Sequence, residues 1–237
     1  MVNFYTQLTR KIGNSIQQAC ILCGDGGHKN LCLCQACLSE LPFIEHGCQT
    51  CGLPLPQNIN RCGACISIPP PNTSCTSLLH YQEPVDYLIK HMKYHNQLSI
   101  AALLGNLLAD KIKKTKQPLP QQLIPVPLHF SRLQQRGYNQ ATEIARAISS
   151  VLNIPVNIKG YTRQRNTEPQ FDLPPNQRAG NMHQAFQSTQ QTQTKHVAII
   201  DDVMTTGSTV WEFSQTIIDS GVERVDIWAC ARAITTD

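Results

Sequence analysis

From about residue 75 onward the apolar positions of this chain alternate between two periods. Short apolar, largely β-branched runs at Cys75–Tyr81, Leu123–Val126, Val197–Ile200 and Val225–Ala229 have the length and bounds of buried strands. Between them the spacing turns helical. Pro84–Tyr94 places Val85, Leu88, Ile89 and Met92 on one face, Leu98–Ile112 forms a second helix, and Asn139–Leu152 turns Ala141, Ile144, Ala145, Ile148 and Val151 inward. A further helix starts at Ser208 or Thr209, carries Val210, Phe213, Ile217 and Ile218 on one stripe, and meets Gly221 at its end. Strand and helix in alternation predict an α/β fold built on a parallel sheet. The polar stretch Lys159–Lys195, rich in Gln, Asn and Arg, shows little regular pattern; a connection of that length is functional or mobile, and a disordered surface loop is the plain reading of its composition.

The amino-terminal part obeys neither period. Eight of the 11 cysteines fall there into four Cys-x-x-Cys pairs, Cys20/Cys23, Cys34/Cys37, Cys48/Cys51 and Cys62/Cys65, each beginning fourteen residues after the last. Two thiolates separated by two residues reach one tetrahedral ion from a tight turn, here with Gly24, Gly52 and Gly63 close by. Two pairs complete a closed four-cysteine site, so four pairs predict two structural zinc ions; a redox dithiol explains a single pair but not four in a row. Sequential and cross-braced pairings both satisfy the spacing, and the short loops favour the sequential one. Cys32 is close enough to Cys34 to compete as a ligand, whereas Cys75 and Cys230 sit in strand-like runs as packing residues. Such a region hardly folds without its metal. The Pro-rich segment Ile68–Asn72 reads as a stiff linker, which sets the expected domains at 1–68, a zinc-ribbon module, and 69–237, the α/β domain.

Composition adds limits. No stretch of the 237 residues approaches the roughly 18 apolar residues of a membrane span, and Met1–Ile16 lacks a signal-peptide apolar segment, so no membrane insertion and a cytoplasmic location are expected. The net charge of +4 gathers at Lys90, Lys93, Lys111, Lys113, Lys114 and Lys116 and again at Arg132, Arg136, Arg163, Arg165 and Arg178. This permits polyanion binding without requiring it; Lys111–Lys116 equally complements a helix end.

The chemistry concentrates at residues 201–209. Asp201 and Asp202 fall at the carboxyl end of Val197–Ile200, followed by Thr205, Thr206, Gly207, Ser208 and Thr209 at a helix start. Unpaired backbone N–H groups and the helix dipole favour a phosphate there, and the hydroxyls of an attached ribose would meet the two carboxylates. The loop lacks the Lys of a P-loop and the spaced glycines of a dinucleotide fingerprint. An Asp pair that merely caps the helix is the structural alternative, but capping needs one Asp only. Ligands of open α/β sheets bind outside the carboxyl ends of strands, so the segment after Leu123–Val126 borders the same crevice. Its Arg132 and Arg136 suit a pyrophosphate through paired donors, with Gly137 and Asn139 turning the chain into the next helix. His129 is a surface imidazole by default and a general base only as a further option.

Taken together, Pro125-Val-Pro-Leu-His129 with Arg132 and Arg136-Gly-Tyr-Asn-Gln140, Arg163-x-Arg165-x-Thr167-x-x-Gln170, Arg178 with Asn181, Ala185-Phe186, and the Asp-Asp-x-x-Thr-Thr-Gly-x-Thr loop resemble the ComF/GntX-like family. The cysteine pairs and Cys51-Gly-Leu-Pro-Leu-Pro56 resemble that family's zinc ribbon, so the likeness spans nearly the whole chain. The resemblance implies a type I phosphoribosyltransferase-like parallel sheet flanked by helices, preceded by a double zinc-ribbon module. It also implies a site for phosphoribosyl pyrophosphate (PRPP) with Mg²⁺, and a role in natural transformation beside competence helicase and recombination-mediator proteins. The glutamine-dependent amidotransferase label often given to the family does not fit, because that activity needs a glutaminase domain with a free nucleophilic cysteine, and metal-bound thiolates are not free.

In an enzyme of this kind, Asp201 and Asp202 would hold the ribose and favour positive charge at its anomeric carbon. Arg132 and Arg136 would take up the charge of the pyrophosphate. Arg163, Arg165, Gln170 and Arg178 would close over the site and exclude water. Three functions follow: phosphoribosyl transfer to a base or amine, non-catalytic sensing of PRPP or a nucleotide, and handling of single-stranded DNA. Aromatic residues near basic ones are few, with Phe130, Tyr138 and Tyr161 as the candidates, so DNA affinity is expected to be weak, electrostatic and salt-sensitive.

Overall fold

A computed structural model describes residues 19–27, 31–165, 185–189 and 193–234. The chain divides into two compact units, Met1–Pro42 and Phe43–Asp237, and the division falls between the second and third cysteine pairs. The expected boundary at 68/69 lies inside the larger unit.

The first unit is a cysteine knuckle followed by one short helix. The Gly24 N–H donates to the Cys20 carbonyl at 2.8 Å, Ala19 bridges Gly26, and α1 (Gln35–Ser39) starts from Cys34, whose sulfur accepts the N–H of Cys37 at 3.5 Å. The second unit opens with a copy of this arrangement, two steps further along the cysteine repeat. There the Gly52 N–H donates to the Cys48 carbonyl at 2.8 Å, Gly47 bridges Pro54, and α2 (Gly63–Ser67) starts from Cys62. The sequence repeat is therefore a structural repeat.

This second knuckle is built into the α/β layers. Its partner is β1 (Ser74–His80): the Cys75 N–H donates to the Gln49 carbonyl at 2.7 Å, and the Ile44 N–H to the Leu78 carbonyl at 3.0 Å. Asn72, the last residue of the expected linker, is buried and donates from Nδ2 to the carbonyls of Thr50 and Ser74.

The sheet has the order β1-β6-β5-β2, all parallel, with β2 at Gln122–Pro125, β5 at His196–Met204 and β6 at Arg224–Arg232. On one face lie α4 (Leu98–Lys114) and α6 (Gln140–Leu152), which pack on each other and on the strands. On the other, Val197, Ile199, Val225, Ile227 and Ala229 form one core with α7 (Ser208–Asp219), the second cysteine cluster and the antiparallel pair β3 (Tyr161–Arg163) and β4 (Phe186–Ser188). Strand alternation sends successive side chains to opposite faces, so the near-continuous apolar runs of β5 and β6 serve two cores at once. Helix α3 (Val85–Tyr94) buries Val85, Leu88, Ile89 and Met92, as its periodicity predicts.

Three local readings change. Phe130–Arg136, where the sequence pattern gave no element, is a helix, α5, ended by Gly137 at φ 81°. Asp201 and Asp202 lie within β5, which runs on to Met204, rather than beyond its end. The patternless 159–195 stretch contains β3 and β4; Thr167, Gln170, Arg178 and Asn181 lie outside the described residues. Among the described residues no helix is long and apolar enough to cross a membrane.

Candidate functional site

The candidate site residues lie toward the carboxyl ends of β5 and β2. In the carboxyl-terminal half of β5, Asp201 is half-buried and Asp202 buried, and the Asp202 N–H donates to Oδ1 of Asp201 at 2.9 Å. Two carboxylates in one low-dielectric niche cannot both ionise freely. Burial first, and then the charge of Asp202, pushes the Asp201 carboxyl up to about 7.

The pair has a built-in counter-ion that the sequence placed only among the scattered cations. Nζ of Lys93, at the end of α3, lies 2.9 Å from Oδ2 of Asp202. Burial opposes the lysine charge, but the carboxylates of Asp202 and Asp201 outweigh it and hold the ammonium above its ordinary range. The signal available in the sequence was weak: a cation one residue past the apolar stripe Val85, Leu88, Ile89, Met92.

From Asp201 the chain enters a shallow concavity lined by Thr205, Gly207, Ser208 and Thr209. Gly207 caps α7 at φ 91°, and a Cβ there would lie 2.6 Å from the Trp211 ring and 2.8 Å from the Met204 methyl. Only glycine fits this turn. The hydroxyls of Thr206 and Ser208 pair at 3.0 Å. The first amides of a helix have no intrahelical acceptor, so this α7 terminus presents donors and positive potential beside the carboxylates.

Arginines lie in the electrostatic neighbourhood of Asp201 and Lys93. His129 bridges Arg163 through the backbone, which joins the segment after β2 to β3. The Arg163 guanidinium lies 5.4 Å from the centre of the Phe186 ring, and its Nε donates to the Arg165 carbonyl at 3.3 Å. Burial, and then the neighbouring Arg132 charge, holds Arg163 below the ordinary arginine range, with Glu212 and Asp201 pulling the other way. Arg132, Arg163 and Asp201 thus share one electrostatic neighbourhood. Arg136 lies over the Tyr94 ring, 5.4 Å from its centre, beside Lys93. Arg165 enters through its carbonyl, and its side chain is exposed.

His129 is a structural cap: its Nδ1 accepts the Ser131 N–H at 3.3 Å at the start of α5. Asn139 caps α6 by accepting the Ala141 N–H and fastens back to the Val126 carbonyl. Of the three proposed base-stacking rings, Tyr161 belongs to the core, edge-on to Phe213 and bonded to Ser220 at 2.9 Å, whereas Phe130 is exposed. Sequence reading missed a row of rings along α3 and its C-cap, where Tyr87 lies tilted on His91 with centroids 3.9 Å apart and His91 stacks on His95 at 4.5 Å.

The cysteines form two clusters, Cys20, Cys23, Cys34, Cys37 and Cys48, Cys51, Cys62, Cys65, each with its sulfurs within 4.8 Å of one another, in the sequential pairing. The Cys51–Cys62 sulfur separation of 3.7 Å matches the edge of a tetrahedron with Zn–S bonds of about 2.3 Å. The Cys62 N–H donates to the Cys48 sulfur at 3.4 Å. Burial disfavours the Cys48 thiolate, but N–H groups of Cys62, Thr50 and Cys51 prevail and bring it down to about 6. Both donor sets fit structural zinc. Cys32 is buried outside the first set, and burial pushes the Cys75 thiol up to about 12, as befits a packing residue.

Comparison with known proteins places these features in context. The Double zinc ribbon domain family matches residues 17–66. Competence protein F of Haemophilus influenzae is 35% identical over 225 residues, covering 90% of this chain and 96% of that protein. The DNA utilization protein YhgH of Salmonella typhi is 32% identical over 206 residues, covering 85% and 91%. Among solved structures, adenine phosphoribosyltransferase of Leishmania tarentolae superposes with a TM-score of 0.38 at 14% identity, over 70% of this chain and 93% of that one. A glutamine PRPP amidotransferase from B. subtilis, complexed with ADP and GMP, gives 0.38 at 13% identity, over 56% and 27%.

Proposed function

Because the chain belongs to the family of competence protein F and the DNA utilization proteins YhgH, we propose that it acts in natural transformation, handling incoming single-stranded DNA in the cytoplasm, and that its α/β unit binds PRPP. The observation that carries the ligand assignment is the juxtaposition of Asp201 and Asp202 with the Gly207-centred turn at the start of α7. A sugar phosphate seated there would place its phosphate on the Thr205–Thr209 amides and hydroxyls and its ribose hydroxyls against the carboxylates, which accept hydrogen bonds from them. Arg132 and Arg163, sharing the electrostatic neighbourhood of Asp201, supply charge for the pyrophosphate, with Arg136 and Arg165 at its margin.

Carboxylate oxygens suit a hard cation, so Asp201 and Asp202 would hold Mg²⁺, which neutralises phosphate charge when bound. The chain's own residues then do the rest. Asp202 orients the ribose, the arginines stabilise departing negative charge, and the core behind β5 keeps water from the buried side. Transfer to a base or amine is the catalytic form of this reading. DNA contact would be electrostatic, through the basic residues, and weakened by salt.

Calorimetric titration of PRPP with and without Mg²⁺, on wild type and on the Asp201→Asn, Asp202→Asn double variant, tests the site. Binding lost in the variant supports it; no binding to the wild type sinks it. Pyrophosphate release across a panel of bases separates transfer from sensing.

A further inference from the structure

Arg232 is a buried cation, 5% exposed, at the end of β6, and its guanidinium is held by main-chain carbonyls rather than by a carboxylate among the described residues. Nε donates to the carbonyl of Cys51, a member of the second four-cysteine cluster, at 2.9 Å. Nη1 donates to the carbonyls of Met204 at 3.2 Å, of Thr205, and of Ala233 at 2.6 Å. One rigid planar group therefore spans from the cysteine knuckle to the first two peptides of the Thr205–Thr209 turn. In a trans peptide the N–H points opposite to the C=O. Pinning the Met204 and Thr205 carbonyls to Arg232 therefore turns the N–H groups of Thr205 and Thr206 away from the guanidinium and fixes their direction.

A packing route runs in parallel. Gly52, next to Cys51, sits at φ 67° so close to β1 that a Cβ would lie 2.9 Å from the Cys75 sulfur. The Cys75 thiol in turn contacts the Met204 sulfur at 3.8 Å. Close-packed interiors pass a displacement on rather than absorb it.

We infer that the second four-cysteine centre, acting through Arg232, sets the conformation of the Thr205–Thr209 turn, so that zinc at Cys48, Cys51, Cys62 and Cys65 and a phosphate ligand at the turn favour one another's binding. Arg232 is a positioning residue: it touches neither ligand and orients the donors of one by its hold on the other. Linkage makes the effect reciprocal, and couplings of this type span about 5–150-fold in affinity. The ligand half of the inference rests on the PRPP reading above; the conformational half does not.

The test compares full-length wild type with Cys62→Ser, Cys65→Ser in the second centre, Cys34→Ser, Cys37→Ser in the first, and Arg232→Lys, which keeps the charge but loses the fork. Hydrogen exchange at the Thr205–Thr209 amides without ligand is the primary readout, with zinc content by mass spectrometry and PRPP affinity beside it. The second-centre variant is expected to lose protection at 205–209 and to weaken PRPP on the order of tenfold, while the first-centre variant does neither. Arg232→Lys should lose the same protection with both zinc ions retained, which covers the case of a second-centre variant that fails to fold. In wild type, PRPP should slow zinc loss to a chelator from the second centre only. Unchanged exchange at 205–209 in Arg232→Lys, or equal effects of the two cysteine variants, overturns the inference. A wild type that binds no PRPP yet shows the exchange pattern would overturn the ligand assignment and leave the conformational link standing.

Discussion

Lys93 Nζ and Asp202 Oδ2 lie 2.9 Å apart, joining the end of α3 to the carboxyl-terminal half of β5 in a pair whose side chains are 23% and 12% exposed. The acidic pair thus keeps its own cation. Replacing Lys93 with Met leaves two adjacent carboxylates uncompensated. Because the pair is only partly shielded, a loss of about 1–3 kcal/mol is expected at pH 8, less than for a fully buried ion pair. Thermal melts of wild type and Lys93→Met at pH 8 and pH 5 check this: the gap should narrow at pH 5, where Asp201 is protonated.

The Asp201 carboxyl, raised to about 7, ties stability to pH. The folded chain holds a proton that the unfolded chain gives up near 3.8, so the stability it contributes is complete below that value and is lost as pH rises through about 7. Asp201→Asn has no such loss. Relative to wild type it should gain on the order of 2–4 kcal/mol between about pH 4 and 8, read from denaturant titrations across that range. A flat difference would contradict the assigned environment. Wild-type affinity for Mg²⁺-dependent ligands should climb toward pH 7 and level off above it.

At Gly207 the turn tolerates no side chain. Gly207→Ala combines a positive φ with contact on Trp211 and Met204, and should cost about 1–3 kcal/mol. PRPP binding should fall further than stability does, since the turn itself carries the amides. Calorimetry together with a thermal melt separates the two; a variant that binds as wild type would show that the turn is not the phosphate site.

Metal analysis of freshly reduced protein should find about two zinc ions per chain. Finding none would remove the structural role given to both cysteine sets.

Shortened chains test where the α/β unit begins. A chain starting at Phe43 keeps the Ile44–Leu78 and Gln49–Cys75 hydrogen bonds and the second cysteine cluster, which shares its apolar core with β5, β6 and α7. One starting at Pro69 loses all of them. The first is expected to unfold in one cooperative transition near the full-length midpoint, the second to melt early or aggregate. Equal melting would favour the 68/69 boundary.

Much of this was legible in the chain. Helix faces such as Val85, Leu88, Ile89, Met92 and the strand runs followed from period alone, because burial of one face is a local pattern. The cysteine pairs were legible because a tetrahedral ion demands a short, repeated spacing. Helix α5 was missed because seven residues carrying two arginines have no buried face to signal it. Strands β3 and β4 were missed because three residues each are too short for a period.

The sequence by itself determined the longer helices and strands, the zinc ligands and the Asp201–Thr209 loop, because each is written in residues close together along the chain. Tertiary structure decided what those elements meet. It brought Lys93 to Asp202, joined the second cysteine cluster to β1, and stretched Arg232 from Cys51 to Met204 and Thr205. These partners stand 26 to 181 positions apart, and no periodicity links them. They meet because parallel strands bring distant segments to one edge of a sheet, where a buried charge must find its partners.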